Sequence, residues 1–561
     1  MPRNRAWLAY GAAALFFGAA LLDAACPPNL ARYNQRATLV LAQNGAVLDA
    51  DLAKDERWRF AITPEQVDRT YLGLLTRIED KRYNWHVGID PAALVRAVGQ
   101  YIKRGEVVSG ASTLSMQTAR LLEPRPRTLR SKLIEMARAL QLELHYSKAQ
   151  ILSIYLTLAP YGGNIEGVRA ASLLWLGKEP QHLTLAEAAL LVALPQSPER
   201  LRPDRRPQAA LAARNAILQR AATQGFITQQ QAHEASEASL PLHIARLPDD
   251  APHLTTRLVR TQRGQVVRTT INKELQENLA SLLTRSLRVH EPEVTMAAFV
   301  IESATGAVQA YVGNAAPHDA HRRGMVDVVP AIRSPGSTLK PFIYGMGFDR
   351  LIVHPETVIA DMPLRFGAYA PENFGGGFNG EVTVREALQR SLNLPAVALL
   401  DRIGPVALDT ALQDAGVQLR FDRRLGKPTL PIALGGVGIS LENLVRLYAS
   451  IPTGGSVPSL HYTAAPPSAR HLMSAGSAWY LARILEGVPR PLGFNDARIS
   501  NSPVVAYKTG TSYGFRDAWA IGFSGPYTLG VWVGRADGTP CARCVGIERS
   551  EEHTTELQSP C

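Results

Sequence analysis

The pattern of apolar residues changes near Arg268, and this change limits the folds open to the chain. From about Pro64 to Ala235 the apolar residues recur at helical spacing, as in HLTLAEAALLVALP, where Thr184 and Glu187 form a capping box. After Arg268 short apolar runs alternate with turns, which is typical of strands. At 561 residues the chain is too long for one hydrophobic core. We therefore expect a mainly helical domain followed by an α+β domain.

Two stretches of the second half are predicted to be strand pairs. MAAFVIESATGAVQAYVG turns at Gly306, and DAWAIGFSGPYTLGVWVG turns at Gly525-Pro526. Strands at both ends with helices between them predict an antiparallel sheet covered by helices. The mixed stretch 236–267, which contains Pro and His, is predicted to be a linker.

Composition narrows the classes of partner. Hydrophobic residues at 46% and charged residues at 19% are typical of a globular protein. A net charge of +11 indicates an anionic partner. Because no compact nucleic-acid motif is present, a membrane surface or a phosphorylated substrate is favoured over nucleic acid. The four cysteines, all near the chain ends, predict no disulfide framework, and Cys541 and Cys544 are predicted to be unpaired thiols in a loop.

The two ends of the chain carry separate signals. Arg3 and Arg5 precede sixteen uncharged residues, Trp7 to Leu22, which predicts an uncleaved signal-anchor over residues 1–30. The alternative is a cleaved signal peptide. Either way the bulk of the chain is expected outside the cytoplasm, and the anchor would make it a single-pass protein of the bacterial inner membrane facing the periplasm. The polar ending RSEEHTTELQSPC, residues 549–561, is predicted to be non-native sequence following a frame interrupted near Glu548.

The stretch SPGSTLKPFIYG brings a hydroxyl and an amine together. Ser337 and Lys340 share a helix face, and Pro341 places the helix start close to them. A serine hydroxyl at a helix N-terminus, beside a desolvated lysine, can carry out acyl transfer. Alone, S-x-x-K is more often plain helix surface.

Two further motifs follow in order. Ser391-Leu-Asn393 and Lys508-Thr-Gly-Thr-Ser512 lie 54 and 117 residues downstream of the preceding motif. Together the three motifs resemble those of the serine penicillin-recognising enzymes, over about 268–548. The resemblance implies an α+β, serine β-lactamase-like transpeptidase domain.

The resemblance also implies roles for these residues. Ser337 is the expected nucleophile on the penultimate D-alanine carbonyl of a stem peptide, with Lys340 as its base. Ser391 would relay a proton to the leaving group, and Asn393 would bind the substrate amide. The substrate carboxylate and main chain would be held by Lys508, Thr509, Gly510 and Thr511. The backbone N–H groups of Ser337 and Thr511 would form the oxyanion hole. For Ser512, an ordinary structural hydroxyl is an equal alternative.

Four blocks upstream carry a second chemistry. RIEDKRYNWHVGID, GASTLSMQ, RSKLIEMARALQLE and SKAQILSIYLTLAPYGG contain two separated carboxylates, Glu79 and Glu135. Between Arg120 and Lys148 seven basic residues face three acidic ones. A carboxylate base beside cations suits a sugar hydroxyl attacking a phosphate-activated sugar. For a single glutamate, a solvated charged helix face is the more common explanation.

In combination the four blocks resemble the peptidoglycan glycosyltransferases of the class A penicillin-binding proteins, most similar to the 1C type. The resemblance implies a mainly-α, lysozyme-like domain, which we expect over 55–235. Glu79 would deprotonate the acceptor lipid II hydroxyl for inverting attack, and Glu135 is the second glutamate of the site. The other positions that match the substrate cleft are Arg82, His86, Ser112, Gln117, Lys132, Arg138, Lys148 and Tyr155. A divalent metal, Mg²⁺ or Mn²⁺, is allowed for glycosyl transfer, and no cofactor for transpeptidation.

The expected partners are lipid II, nascent glycan strands, stem peptides, β-lactam antibiotics and the inner membrane. Met116, Ser131 and Thr157 depart from the common pattern of the glycosyltransferase blocks. They give weight to an alternative, a penicillin-binding sensor or scaffold with little turnover. A β-lactamase-like hydrolase is a third reading, against which the upstream domain argues.

Overall fold

A computed structural model describes residues 23–96, 112–374, 376–421, 427–489 and 503–541. The chain divides into two compact units, one of Met1–Leu39, Ala50–Pro248 and Leu258–Val267, the other of Val40–Asp49, Asp249–Arg257 and Arg268–Cys561. The predicted anchor stretch, 7–22, and the tail 549–561 lie outside the described residues. Within the described ranges, no helix combines the length and apolar character needed to cross a membrane.

The helices, in chain order, are α1 Ala31–Asn34, α2 Arg69–Glu79, α3 Leu114–Leu122, α4 Leu129–His145, α5 Lys148–Leu158, α6 Val168–Ala171, α7 Leu185–Ala193, α8 Pro207–Thr223, α9 Gln229–Glu237, α10 Pro252–Gln262, α11 Lys273–Ser286, α12 Lys340–Asp349, α13 Val384–Gln389, α14 Asn393–Ile403, α15 Pro405–Asp414, α16 Leu441–Ala449 and α17 Ala475–Glu486.

The strands, in chain order, are β1 Thr38–Leu41, β2 Val47–Asp51, β3 Trp58–Arg59, β4 Ile165–Glu166, β5 Val266–Arg268, β6 Val294–Glu302, β7 Val308–Val312, β8 Val358–Asp361, β9 Gly380–Thr383, β10 Ser456–Pro458, β11 Ala469–His471, β12 Ala506–Thr511, β13 Asp517–Ser524 and β14 Tyr527–Arg535.

The first unit is mainly helical, as the spacing predicted. Helix α5 is buried at every position from Ile151 to Leu158, and α7 at all but two of its positions. A helix that is apolar on nearly all sides belongs inside the core, so the other helices pack around these two. The capping box of Thr184 and Glu187 at the start of α7 is confirmed.

The second unit is built on a five-stranded antiparallel sheet in the order β12-β13-β14-β6-β7. Both predicted strand pairs are confirmed, as β6–β7 and β13–β14. On one face Leu279 and Leu283 of α11 join the cluster of buried strand residues. On the other face α16 lies against β14 at Gly530, where a Cβ atom would meet Val445 at 2.6 Å.

Two expectations were wrong in detail. The stretch 236–267 is not a plain linker, because it contains α10 and most of β5. Its residues are also shared between the units, with Asp249–Arg257 in the second and Leu258–Val267 in the first. Cys541 is not an unpaired thiol: it is buried and disulfide-bonded.

A buried ion pair connects the two strands of the small parallel sheet in the first unit. Arg59 and Glu166 are opposite one another in the β3–β4 register. Arg59 Nε donates to Glu166 Oε2 at 2.7 Å, and both side chains are almost completely buried. The guanidinium also donates to Asp55 and to the Gln35 carbonyl.

We expect Glu166→Gln to lower the free energy of unfolding of this unit by about 3–5 kcal/mol, because it leaves the Arg59 charge buried without its main partner. Urea or thermal unfolding measures the change. The exposed pair Arg483–Glu486, at 2.9 Å, supplies the control. Glu486→Gln should cost less than about 1 kcal/mol. Equal effects of the two substitutions on the free energy of unfolding would contradict a special role of the buried Arg59–Glu166 pair in stability.

Candidate active sites

A cavity of about 320 Å³ in the first unit collects several of the predicted residues. Helix α2 ends at Glu79, and the loop after it turns back toward the start of α3. Lys81, Arg82 and Arg96 give the cavity a basic side. Its full lining is Glu79, Asp80, Lys81, Arg82, Asp90, Ala93, Arg96, Ser112 and Thr113.

Two side-chain amides orient the Glu79 carboxylate. Gln117 Nε2 donates to Glu79 Oε2 and Gln196 Nε2 donates to Glu79 Oε1, each at 2.9 Å. Tyr155 is buried near this carboxylate, and burial together with the Glu79 charge raises the pKa of its phenol well above the usual value. Gln196 was missed by sequence reasoning, because it follows Pro195 at the end of an apolar helix with no motif to mark it.

The neighbouring Asp80 ties the loop after α2 to the start of α3. Its Oδ2 accepts the Leu114 backbone N–H at 2.8 Å. His86 Nε2 lies 3.0 Å from the same oxygen, while His86 Nδ1 accepts the Gly88 N–H at 3.1 Å. Both ring nitrogens of His86 are therefore engaged inside the protein. The buried ring holds the loop, and a substrate role for His86 stays a prediction.

Around Glu135 the predicted residues do come together. Glu135 is buried, and Lys132 Nζ lies 3.5 Å from its Oε2 while also donating to Ser112 Oγ. Burial lowers the pKa of the Lys132 ammonium, and the Glu135 charge opposes that shift. Ser112 also lines the cavity that contains Glu79, so its contact with Lys132 links the surroundings of Glu135 to that cavity.

The remaining predicted residues have partners of their own. Arg82 pairs with Asp90 at 2.9 Å while lining the cavity. Lys148 pairs with Glu143 at 2.7 Å. Arg138 donates to the Cys26 carbonyl at 2.7 Å and to Gln141 at 2.6 Å. A substrate role for Lys148 and Arg138 stays a prediction.

The departures from the common pattern have structural places. Ser131 is buried in the first turn of α4, where its backbone N–H donates to the N-cap Thr128 at 3.1 Å. Met116 is buried in α3. Thr157 is fully buried, and its hydroxyl has no hydrogen-bond partner among the described residues.

The divalent metal allowed for glycosyl transfer stays a prediction. Glu79, Asp80 and Asp90 each accept hydrogen bonds from protein donors. Within the described ranges, no group of three or more acidic, His or Cys side chains could hold a metal ion. We therefore derive no step through a metal.

In the second unit, Ser337 lies in a tight turn directly before α12. The turn spans Gly336–Leu339 as a 3₁₀ helix, and α12 begins at Lys340 with Pro341 in its first turn, as predicted. Trp519 Nε1 of β13 donates to the Ser334 carbonyl at 2.8 Å. Tyr448 of α16 donates to the Thr338 carbonyl at 2.7 Å. The turn is thus held from both sides.

Lys340 is completely buried, at 0% exposure, yet its amine is surrounded by acceptors. Nζ donates to the Ser391 carbonyl at 2.6 Å, to the Leu392 carbonyl at 3.2 Å and to Asn393 Oδ1 at 2.7 Å. Burial first, and then the nearby Lys508 charge, lower the pKa of Lys340 well below its ordinary value. A lysine of this kind can act as a base near neutral pH.

Strand β12 lies against the serine turn. Gly336 has φ +54°, and a Cβ atom there would lie 2.4 Å from the Thr511 carbonyl oxygen. A Cβ at Gly510 would lie 2.6 Å from the Pro335 carbonyl oxygen. The strand therefore reaches the serine only because both positions are glycine. Lys508 and Thr509 are buried on the same strand.

Two serines of the motifs differ in their contacts. Ser391 has φ +58°, rare outside glycine, and this conformation turns its carbonyl toward Lys340. Ser512 Oγ accepts the backbone N–H groups of Arg516 and Asp517 at 3.2 and 2.8 Å. These contacts give the Ser512 hydroxyl a structural role at the start of β13.

Known proteins match both units. The transglycosylase family model matches residues 44–222, and that of the penicillin-binding protein transpeptidase domain matches 296–537. Penicillin-binding protein 1C of Escherichia coli K12 is 40% identical over 543 residues, covering 96% of this chain and 70% of that protein. The chain belongs to the class A penicillin-binding proteins.

More distant members agree with this assignment. Penicillin-binding protein 1F of Bacillus subtilis is 26% identical over 88% of this chain and 73% of its own length. The crystal structure of penicillin-binding protein 1A from Haemophilus influenzae shares the fold, with a TM-score of 0.55 at 15% identity, over 93% of this chain and 92% of that one. As a class A penicillin-binding protein, this chain is a bifunctional peptidoglycan synthase with glycosyltransferase and penicillin-binding transpeptidase domains.

The contact between Gly336 and β12 makes a prediction for this penicillin-binding protein. Gly336→Ala should slow acylation by fluorescent penicillin at least about tenfold, because the new Cβ pushes the Thr511 backbone away from Ser337. Gly525 is a matched control, with φ +52° and no atom of the described residues within 4 Å of its Cβ position. Gly525→Ala should pay a similar backbone cost of about 1 kcal/mol and acylate normally. Equal acylation rates for the two variants would contradict this reading.

Proposed function

We propose that the first unit polymerises lipid II at Glu79 and that the second cross-links stem peptides through an acyl-enzyme at Ser337. The observation that carries the proposal is the buried amine of Lys340, three residues from Ser337 and surrounded by the second motif. Among the described residues its hydrogen-bond partners are carbonyl and amide oxygens and not carboxylates, so this lysine is suited to accept a proton rather than to stabilise the fold.

For glycosyl transfer, Glu79 takes the proton of the acceptor 4-hydroxyl as that oxygen attacks the donor's anomeric carbon. The bond to undecaprenyl pyrophosphate breaks and the anomeric configuration inverts. The amides of Gln117 and Gln196 support this role, because they fix both carboxylate oxygens toward the cavity residues.

The departing pyrophosphate needs positive charge. Lys81, Arg82 and Arg96 line the cavity, and Lys132, which donates to the lining residue Ser112, adds a further cation next to it. The family pattern has an arginine at the position of the buried Ser131. Arg130, next to it, is exposed and is available in its place.

For peptide cross-linking, Ser337 Oγ attacks the penultimate D-alanine carbonyl and gives its proton to Lys340. The peptide bond breaks, and the terminal D-alanine leaves with a proton relayed by Ser391. The N–H groups of Ser337 and Thr511 stabilise the oxyanion, usually worth about 3–4 kcal/mol per donor. An acceptor amine then attacks the ester and releases Ser337. A β-lactam carbonyl enters by the same attack.

A penicillin-binding sensor or scaffold is the second candidate. It is favoured by the buried Met116 and Ser131, and by the engagement of Arg138 with Cys26. Such a protein would acylate with penicillin without polymerising glycan.

The two activities should separate by single substitutions. Glu79→Gln should lower glycan polymerisation from lipid II by at least about a hundredfold, because the acceptor loses its base, while penicillin labelling is unchanged. Ser337→Ala should abolish labelling and leave polymerisation intact, so each variant is the other's control. Absence of polymerisation in the unsubstituted protein would favour the sensor, and labelling that survives Ser337→Ala would refute the nucleophile.

We further propose that the first unit lies on the bacterial inner membrane, on its periplasmic side, with residues 1–30 as a single-pass anchor. Support comes from α4, where four exposed leucines share one helix face: Leu129, Leu133, Leu140 and Leu144. An exposed apolar stripe beside basic residues is typical of membrane-surface helices. Asp23, the residue after the apolar stretch 7–22, contacts His145 and Gln141 of the same helix.

This surface can be tested in reconstituted vesicles containing anionic lipid. The double variant Leu133→Gln/Leu144→Gln should polymerise lipid II about tenfold more slowly in vesicles, because two leucines lose their apolar contact with lipid, and equally fast in detergent. Leu351→Gln, at an exposed leucine of the second unit, is the matched control. An unchanged rate in vesicles would refute the membrane contact of the leucine stripe and would leave the anchor as the proposed membrane contact.

A further inference from the structure

A buried carboxylate of the second unit is connected to Lys340, the lysine of the first motif, through a series of hydrogen bonds. Asp361, the last residue of β8, is 0% exposed. It accepts from Asn373 Nδ2 at 2.9 and 3.0 Å, and from the backbone N and Nδ2 of Asn379 at 2.9 and 2.6 Å. These donors suit an ionised carboxylate, which can only accept. Because burying a charge is costly, its place beside a reactive site calls for a function.

The hydrogen bonds continue from Asp361 to Lys340 with a fixed polarity. The Asn373 amide turns its NH₂ to the carboxylate, which leaves its Oδ1 to accept the Asn393 backbone N–H at 2.8 Å. Asn393 Nδ2 donates to the Glu372 carbonyl at 2.6 Å, so its Oδ1 faces Lys340 Nζ at 2.7 Å. Reversing either amide would set donor against donor or oxygen against oxygen.

Asp361 also acts on Lys340 by charge. Among the described residues, the charged groups that act on this amine are Lys508 on β12 and Asp361 on β8. Lys508 disfavours the protonated amine and Asp361 favours it. The Asp361 carboxylate therefore offsets part of the lowering of the Lys340 pKa that burial and Lys508 cause.

We propose that Asp361 is a positioning residue of the transpeptidase site, which sets the orientation of Asn393 and of the Lys340 amine through Asn373. The inference rests on the proposed function, in which Ser337 is the nucleophile and Lys340 its base. None of the three motifs contains Asp361, Asn373 or Asn379, so they are additions to the site.

The first test is the second-order rate of acylation by fluorescent penicillin as a function of pH. Asp361→Asn should lower the maximal rate at least about tenfold, because the new amide cannot accept from Asn373 and Asn379 together. Loss of the negative charge favours the neutral Lys340 amine, so the acid limb of the profile should move to lower pH. If Asp361 served only folding, Asp361→Asn would lower the fraction of active protein but would not move the acid limb of the pH profile. Asp409→Asn is the matched control, a buried aspartate of α15 that accepts only from Gln413 among the described residues.

The decisive variant exchanges the two side chains. In Asp361→Asn/Asn373→Asp the new amide at 361 can accept from Asn379 and donate to the new carboxylate, whose other oxygen can accept the Asn393 N–H. We expect this double variant to recover acylation to within about threefold of the unsubstituted protein, while Asn373→Asp alone stays low because two carboxylates face each other.

Thermal unfolding accompanies each variant. An Asp361→Asn protein that is folded and acylates at the normal rate would overturn the proposal. So would a folded double variant that does not recover, and this remains decisive if the single variants unfold. Ser337→Ala is run in parallel, because labelling that survives it refutes the nucleophile itself, whatever the Asp361 variants do.

Discussion

The transpeptidase half of this protein depends on one buried amine. Lys340 has no exposure to solvent, and two backbone carbonyls and one amide oxygen surround it. That arrangement requires Ser391 to adopt a left-handed backbone conformation, which places its carbonyl where the amine needs an acceptor. The close approach of β12 to the serine turn, through Gly336 and Gly510, completes the site from the other side. The site therefore requires local backbone strain and close backbone packing, which are unfavourable for the stability of the fold.

In both sites, side-chain amides contact the group to which we assign proton transfer. In the first unit Gln117 and Gln196 donate to the two oxygens of Glu79. In the second unit Asn393 accepts from Lys340, and Asn373 orients Asn393. An amide carries no charge of its own, so it can orient a carboxylate or an amine without forming an ion pair that would fix its protonation state. Unrelated folds thus meet the same requirement in the same way.

Sequence reasoning predicted the elements that depend on local patterns. The strand pairs β6–β7 and β13–β14, the capping box of α7 and the start of α12 at Pro341 all follow from spacing and turn residues. The three motifs also led to Ser337, Lys340 and Asn393. What could not be predicted depends on distant packing. His86 is an internal partner of Asp80. Gln196 contacts Glu79, which lies 117 residues away in the sequence. Asp361 contacts asparagines that lie 12 or more residues away. No periodicity or motif marks such residues.

The position of β12 in its sheet has one more consequence. Among the strands that the structure describes, it ends the order of its sheet, with β13 as its neighbour. An extended chain can be added beside a strand that ends a sheet. A substrate peptide laid there would be bound mostly through its own main chain, in the manner of an added strand. Recognition of that kind is tolerant of the peptide's side chains and strict about its backbone direction, so a rigid mimic with the right carbonyl could take the same place.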